Sequence, residues 1–111
     1  MNPEEMSFNM KRVEVLKALA NPYRLWMVEK LSHGELCVCE FNDSLPLDYS
    51  TISRHLSVLR KAGIVSYRKS GKQVFYDLRV PCVLGFLSCF DEVVKMNVKQ
   101  DTEYLSSREV K

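Results

Sequence analysis

Asp48-Tyr49-Ser50-Thr51-Ile52-Ser53-Arg54-His55-Leu56-Ser57-Val58-Leu59-Arg60-Lys61-Ala62-Gly63 reads as one short helix with both ends written into the sequence. Asp48 supplies an N-cap oxygen, and Gly63 can take the left-handed conformation that closes a helix. Ile52, Leu56 and Leu59 recur at i, i+4 and i+7, which predicts a buried stripe. Tyr49, Ser50, Ser53, Arg54 and Ser57 are left on the other side. A helix face of short polar and basic side chains suits the major groove of duplex DNA.

Outward from that helix the pattern continues. Val65-Ser66-Tyr67-Arg68 and Val74-Phe75-Tyr76-Asp77-Leu78 are strand-like runs joined by Lys69-Ser70-Gly71-Lys72, a hairpin with a basic tip. Upstream, Phe8, Val13, Leu16 and Leu19 mark an amphipathic helix over residues 8–20. Asn21-Pro22 starts a second helix carrying Leu25, Val28 and Leu31, which Gly34 ends. A third, short helix is predicted from about Glu35 to Ser44, stopping before Pro46. Pro81 opens a last helix predicted to reach about Val98, which leaves residues 1–100 as one domain and 101–111 as a flexible tail. Helix, short helix, turn, helix and basic hairpin is the order of a winged helix-turn-helix, mainly α with a small β-hairpin wing.

Charge and composition narrow the function. Residues 50–80 hold seven basic residues and one acidic, a net +6, whereas residues 1–49 and 81–111 carry −3 and −1. A positive field confined to one stretch is the pattern of a nucleic-acid footprint; its plain alternative is a solvated charged face. Glu4, Glu5, Lys11, Arg12 and Glu14 interrupt the first twenty residues, so no signal peptide or membrane span is expected and the cytoplasm is the default. In that reducing compartment, four cysteines favour metal or redox roles over structural disulfides. No nucleophile–base pair, phosphate-cradling loop or convergent carboxylates are present, so an enzyme is not expected. Trp26 and the methionines read as core, and His33, beside Gly34, as a helix-end residue.

Three segments together resemble the ArsR/SmtB family of metal-sensing repressors. They are Ala18-Leu19-Ala20-Asn21-Pro22-Tyr23-Arg24-Leu25, Glu35-Leu36-Cys37-Val38-Cys39-Glu40, and the run from Ser50 through Val65 on to Arg68-Lys69-Ser70-Gly71-Lys72-Gln73-Val74-Phe75-Tyr76. The resemblance implies a homodimer joined through its first and last helices that binds double-stranded operator DNA in the apo form and leaves it when an inducer binds. It places Tyr49, Ser50, Thr51, Ser53, Arg54 and His55 at the groove and Arg68, Lys69 and Lys72 on the wing. For His55, inside Ser-Arg-His-Leu, contact with DNA and support of the helix both remain open. The Glu-Leu-Cys-Val-Cys box implies Cys37 and Cys39 as ligands for a soft ion: As(III) or Sb(III), with Cd(II), Pb(II) or Zn(II) as alternatives. In the best-known arsenic sensors a third cysteine follows three residues later, where this chain has Asn42, and residues 1–36 contain no cysteine. The third thiol is then Cys82, Cys89 or an external thiol such as glutathione.

Thiolates select soft centres, and three of them match pyramidal As(III) or Sb(III), whereas closed zinc sites usually take four ligands. If both Cys37 and Cys39 are helical they point about 200° apart, so a shared ion should unwind or tilt the start of the third helix. Cys82 and Cys89 are separated by about 10.5 Å along a helix axis, so only one of them can join a single centre. Two alternatives stand beside ligation: Cys82, Phe86, Cys89 and Val93 form an apolar stripe suited to packing, and the thiols can act as a redox switch.

Overall fold

A computed structural model describes residues 1–109, arranged in two compact units, one of Met1–Pro81 and one that begins at Cys82. The first unit contains α1 (Pro3–Leu19), α2 (Pro22–Leu31), β1 (Leu36–Cys37), α3 (Val38–Ser44), α4 (Tyr49–Lys61), β2 (Val65–Ser70) and β3 (Gln73–Leu78). The strands form an antiparallel sheet in the order β1-β3-β2, so the fold is a winged helix-turn-helix whose wing carries a third, short strand.

Helix α4 forms as its sequence dictates. The Asp48 carboxylate accepts the Thr51 N–H at 2.8 Å, and Gly63 follows the helix with φ +83°. Ile52, Leu56 and Leu59 are fully buried beside Met27, Val28, Leu31, Phe41, Ile64 and Val65. Fully burying each such side chain contributes about 1.5–3 kcal/mol, so this cluster fixes how α4 is presented. The wing closes in two residues: Ser70 pairs with Gln73, and Gly71 takes φ +63°, the positive φ a tight hairpin needs at its first central position.

Three local expectations are corrected. The third helix begins at Val38, because Leu36 and Cys37 are extended and pair with Tyr76 and Phe75 of β3. Cys37 is therefore the N-cap of α3, with φ −87° and ψ 162°. The first helix starts earlier than residue 8, since Asn2 and Glu5 form a reciprocal capping box ahead of it. Not all methionines are core: Met27 is buried, but Met1, Met6, Met10 and Met96 are exposed.

The second unit is one helix, α5 (Val83–Glu109). It runs well past Val98 because no Gly or Pro interrupts the chain after Gly85. Of the tail expected over 101–111, residues 110–111 lie outside the described residues. Among the described residues, no helix is long and apolar enough to cross a membrane.

Candidate nucleic-acid interface and thiol pair

Helices α3 and α4 with the Leu45–Asp48 connection make the helix-turn-helix. Asn42 donates to the Leu47 carbonyl at 3.1 Å, so the residue standing at the expected third-thiol position braces the turn. On α4, Tyr49, Ser50 and Arg54 are exposed and Thr51 and Ser53 half-buried. Ser50 Oγ donates to the Asp48 carboxylate at 3.2 Å. Hydrogen bonds from Thr51, then Ser50, hold the Asp48 carboxyl below the usual carboxylate range, which keeps the cap ionised at neutral pH. On the wing, Lys69 and Lys72 are exposed.

Two of the expected DNA contacts are engaged within the protein. His55 is half-buried, with Nδ1 3.1 Å from Arg24 Nη1 and its ring 5.9 Å from that of Tyr23. Burial chiefly, then the charges of Arg24 and Arg54, lower its pKa, which favours the neutral ring whose Nδ1 can accept from Arg24. Arg24 also donates from Nε to the Ala18 carbonyl at 2.6 Å and from Nη2 to the Lys17 carbonyl at 3.3 Å. One guanidinium thus ties the end of α1 and the start of α2 to the middle of α4. Arg68 donates from Nε to Glu35 Oε2 at 2.8 Å and from Nη2 to Glu35 Oε1 at 2.5 Å, with its guanidinium carbon 4.8 Å from the Phe75 ring centroid. The hydrogen bond from Arg68 outweighs desolvation and keeps Glu35 below its ordinary pKa.

The thiol pair lies on the β1–α3 junction. Cys37 is buried and Cys39 exposed, and their sulfurs are joined at disulfide distance with Cα atoms 5.3 Å apart. This removes the premise from which unwinding or tilting of α3 was expected, that both cysteines are helical. The opposed directions hold only when both residues are helical, and the extended Cys37 turns its sulfur towards that of Cys39. Glu40 accepts the Cys37 N–H at 2.8 Å, capping α3 at the cysteine itself. Among the described residues of Met1–Pro81, no third His, Cys, Asp or Glu joins the two in a group able to hold a metal. Cys82 sits in the turn before α5, not in the helix, and Cys89 on its second turn; both are exposed. The two convergent thiols fit a soft thiophilic ion in part, and a third donor must come from outside this unit.

Sequence reasoning gave no role to Arg24, Glu35 or Glu40. Glu40 was detectable, because Cys37-Val38-Cys39-Glu40 has the N-cap-to-N3 spacing of a capping box. The other two act through contacts 31 and 33 residues away, which no local pattern reports.

Known proteins share this arrangement. The family model described as "Bacterial regulatory protein, arsR family" matches residues 21–67. The HTH-type transcriptional regulator MJ1325 of Methanocaldococcus jannaschii is 39% identical over 84 residues, covering 75% of this chain and 94% of the relative. The arsenic resistance transcriptional regulator ArsR1 of Pseudomonas putida is 41% identical, over 83% of this chain and 70% of its own length. The solved structure of reduced HlyU from Vibrio cholerae superposes with a TM-score of 0.70 at 35% identity, covering 83% of this chain and 97% of that one. The capped α4, the paired wing and the turn between α3 and α4 are the elements such regulators share, and the chain belongs to the ArsR/SmtB family of transcriptional regulators rather than to any class of enzyme.

Proposed function

We propose that this chain is a homodimeric cytoplasmic repressor that holds operator DNA in the apo form and releases it when trivalent arsenic or antimony is captured by its thiols. The carrying observation is the convergence of Cys37 and Cys39 at the head of α3, the supporting helix of the helix-turn-helix. Similarity to an arsenic resistance regulator supports the choice of ion. Each thiol that displaces a hydroxyl from arsenite passes its proton to that hydroxyl, which leaves as water. Cys82 or Cys89 supplies the third thiolate. Tyr49, Ser50, Thr51, Ser53 and Arg54 face the groove and Lys69, Lys72 and the exposed Arg68, steadied by Glu35, the phosphates, while the half-buried His55 supports α4 through Arg24. Exposed apolar residues on α1 (Phe8, Val13, Leu16) and α5 (Phe86, Phe90, Val93) support pairing with a second copy.

The pairing of Cys37 with Cys39 favours a second reading, in which an oxidant takes two electrons from the thiols as they lose two protons and join, and operator release follows. Release from the native promoter, titrated with arsenite, antimonite, cadmium, lead, zinc and a mild oxidant, separates the readings. Arsenite should release wild type and not Cys37→Ser. Release by zinc or oxidant but not arsenite refutes the metalloid reading, and full arsenite response in both Cys82→Ser and Cys89→Ser removes these as required ligands.

A further inference from the structure

The sheet register puts the thiol box and the wing in one row. Cys37 pairs with Phe75, and Phe75 pairs with Arg68. Arg68 reaches back across this row: its guanidinium lies by the Phe75 ring and donates two hydrogen bonds to Glu35, two residues before Cys37. The segment Glu35-Leu36-Cys37 is therefore bound to the wing twice, by backbone pairing to β3 and by a two-pronged ion pair to β2. Beyond Arg68, β2 continues with Lys69 and Ser70 into the Gly71-Lys72 turn.

We infer that Glu35 and Arg68 are positioning residues that couple the thiol pair to the wing, so that opening the bridge between Cys37 and Cys39, closed in this structure, or closing it again re-aims Lys69 and Lys72. A bridge between the sulfurs fixes the β1–α3 junction at Cys37. Glu35 shares that short strand segment, and its carboxylate holds the Arg68 fork in one geometry, as a two-point contact does better than a single point charge. The displacement reaches the wing through a hydrogen-bonded row of three strands, without unfolding α3. This assignment rests on the proposed thiol-triggered release for its biological use, but its geometry needs only the two cysteines.

Phenylarsine oxide is a suitable probe because it bridges two thiols, losing one water as its oxygen takes both thiol protons. With Cys37 and Cys39 first reduced to thiols and the reductant removed, backbone amide NMR of the DNA-free protein with one equivalent of the reagent should show shifts at Lys69, Gly71 and Lys72 in wild type. In Glu35→Gln the thiols should titrate as before, while the wing shifts largely vanish; the charge exchange Glu35→Arg with Arg68→Glu should restore them. In the DNA arm, arsenite-driven weakening of operator binding, about 5- to 150-fold for ordinary coupling, should fall at least fivefold in Glu35→Gln, with apo affinity held within about threefold. Wing amides that stay still in reagent-bound wild type, or move equally in Glu35→Gln, overturn the inference. If wing amides respond in wild type and not in Glu35→Gln while arsenite fails to release DNA, the coupling stands and the metalloid-repressor reading falls.

Discussion

Replacing Arg24 by methionine removes a guanidinium while keeping an apolar stem of similar length. Arg24 makes two bonds to the last carbonyls of α1 and one to His55 in the middle of α4, at 2.6, 3.3 and 3.1 Å. Hydrogen bonds from a charged donor are each worth about 1.5–3 kcal/mol, but one of these is long and the site is half-buried, so the sum is nearer 2–3 kcal/mol. For a domain of this size each kcal/mol shifts Tm by about 4–5 °C, which predicts a loss of about 10 °C. If half of that energy serves to hold α4 at its angle, operator affinity falls about tenfold. Thermal unfolding followed by circular dichroism, with fluorescence anisotropy on operator DNA, reads both effects. Arg24→Lys should lie between, since a single ammonium cannot span three acceptors on two helices. A methionine variant that melts within about 2 °C of wild type and binds DNA equally well would show that the helices are held by their apolar contacts alone.

His55 is held below its ordinary pKa by burial first and by Arg24 and Arg54 after it. The unfolded chain then takes up its proton at higher pH than the folded one. This contribution to stability is complete above about pH 6.5 and is lost as pH falls through the folded value. Tm should decline on acidification in that window and less so in His55→Gln; a decline untouched by the substitution would assign it to other groups. Gly63→Ala places a Cβ 3.1 Å from Arg79 Nη1, the mobile end of a side chain, so the main cost is the φ of +83°, about 1–2 kcal/mol by urea unfolding. An unchanged urea midpoint would refute it. Lys69→Ala and Lys72→Ala should each lower the slope of log affinity against log salt by about 0.9, one phosphate apiece, across all DNA sequences. A loss confined to one operator sequence would mean that these lysines read bases instead.

The elements legible in the sequence are those whose signals are local. Helix α4 was legible because cap, stripe and terminator all fall within sixteen residues, and the core cluster bears out Ile52, Leu56 and Leu59. The wing was legible from alternation and Gly71. Strand β1 was not, because two residues carry no periodicity and are extended only through their pairing with β3, some 38 residues away. Helix α5 outruns the boundary expected at Val98 because the residues beyond it are polar yet include no Gly or Pro to break a helix. The apolar stripe of α1 is periodic yet exposed at Phe8, Val13 and Leu16, since periodicity shows which face is apolar but not what covers it.

The unread strand is also what changes the argument about the thiols. With Cys37 and Cys39 both in a helix, a ligand acts by damage: it unwinds α3, and derepression costs the unfolding of a turn. With Cys37 in β1 the sulfurs already converge, so on the proposed reading capture needs no unwinding of α3 to bring them together. Apart from Cys39, which lies within α3, Cys37 has two connections outward. These are the Glu40 cap into α3 at 2.8 Å, and the row through Phe75 to Arg68. The first leads to the helix that supports α4 and the second to the wing, so one pair of thiols is connected to both. Glu40→Gln and Glu35→Gln each weaken one branch. If both branches carry signal, the double variant should lose more coupling than either single variant; if only the wing branch does, Glu40→Gln should leave operator release intact.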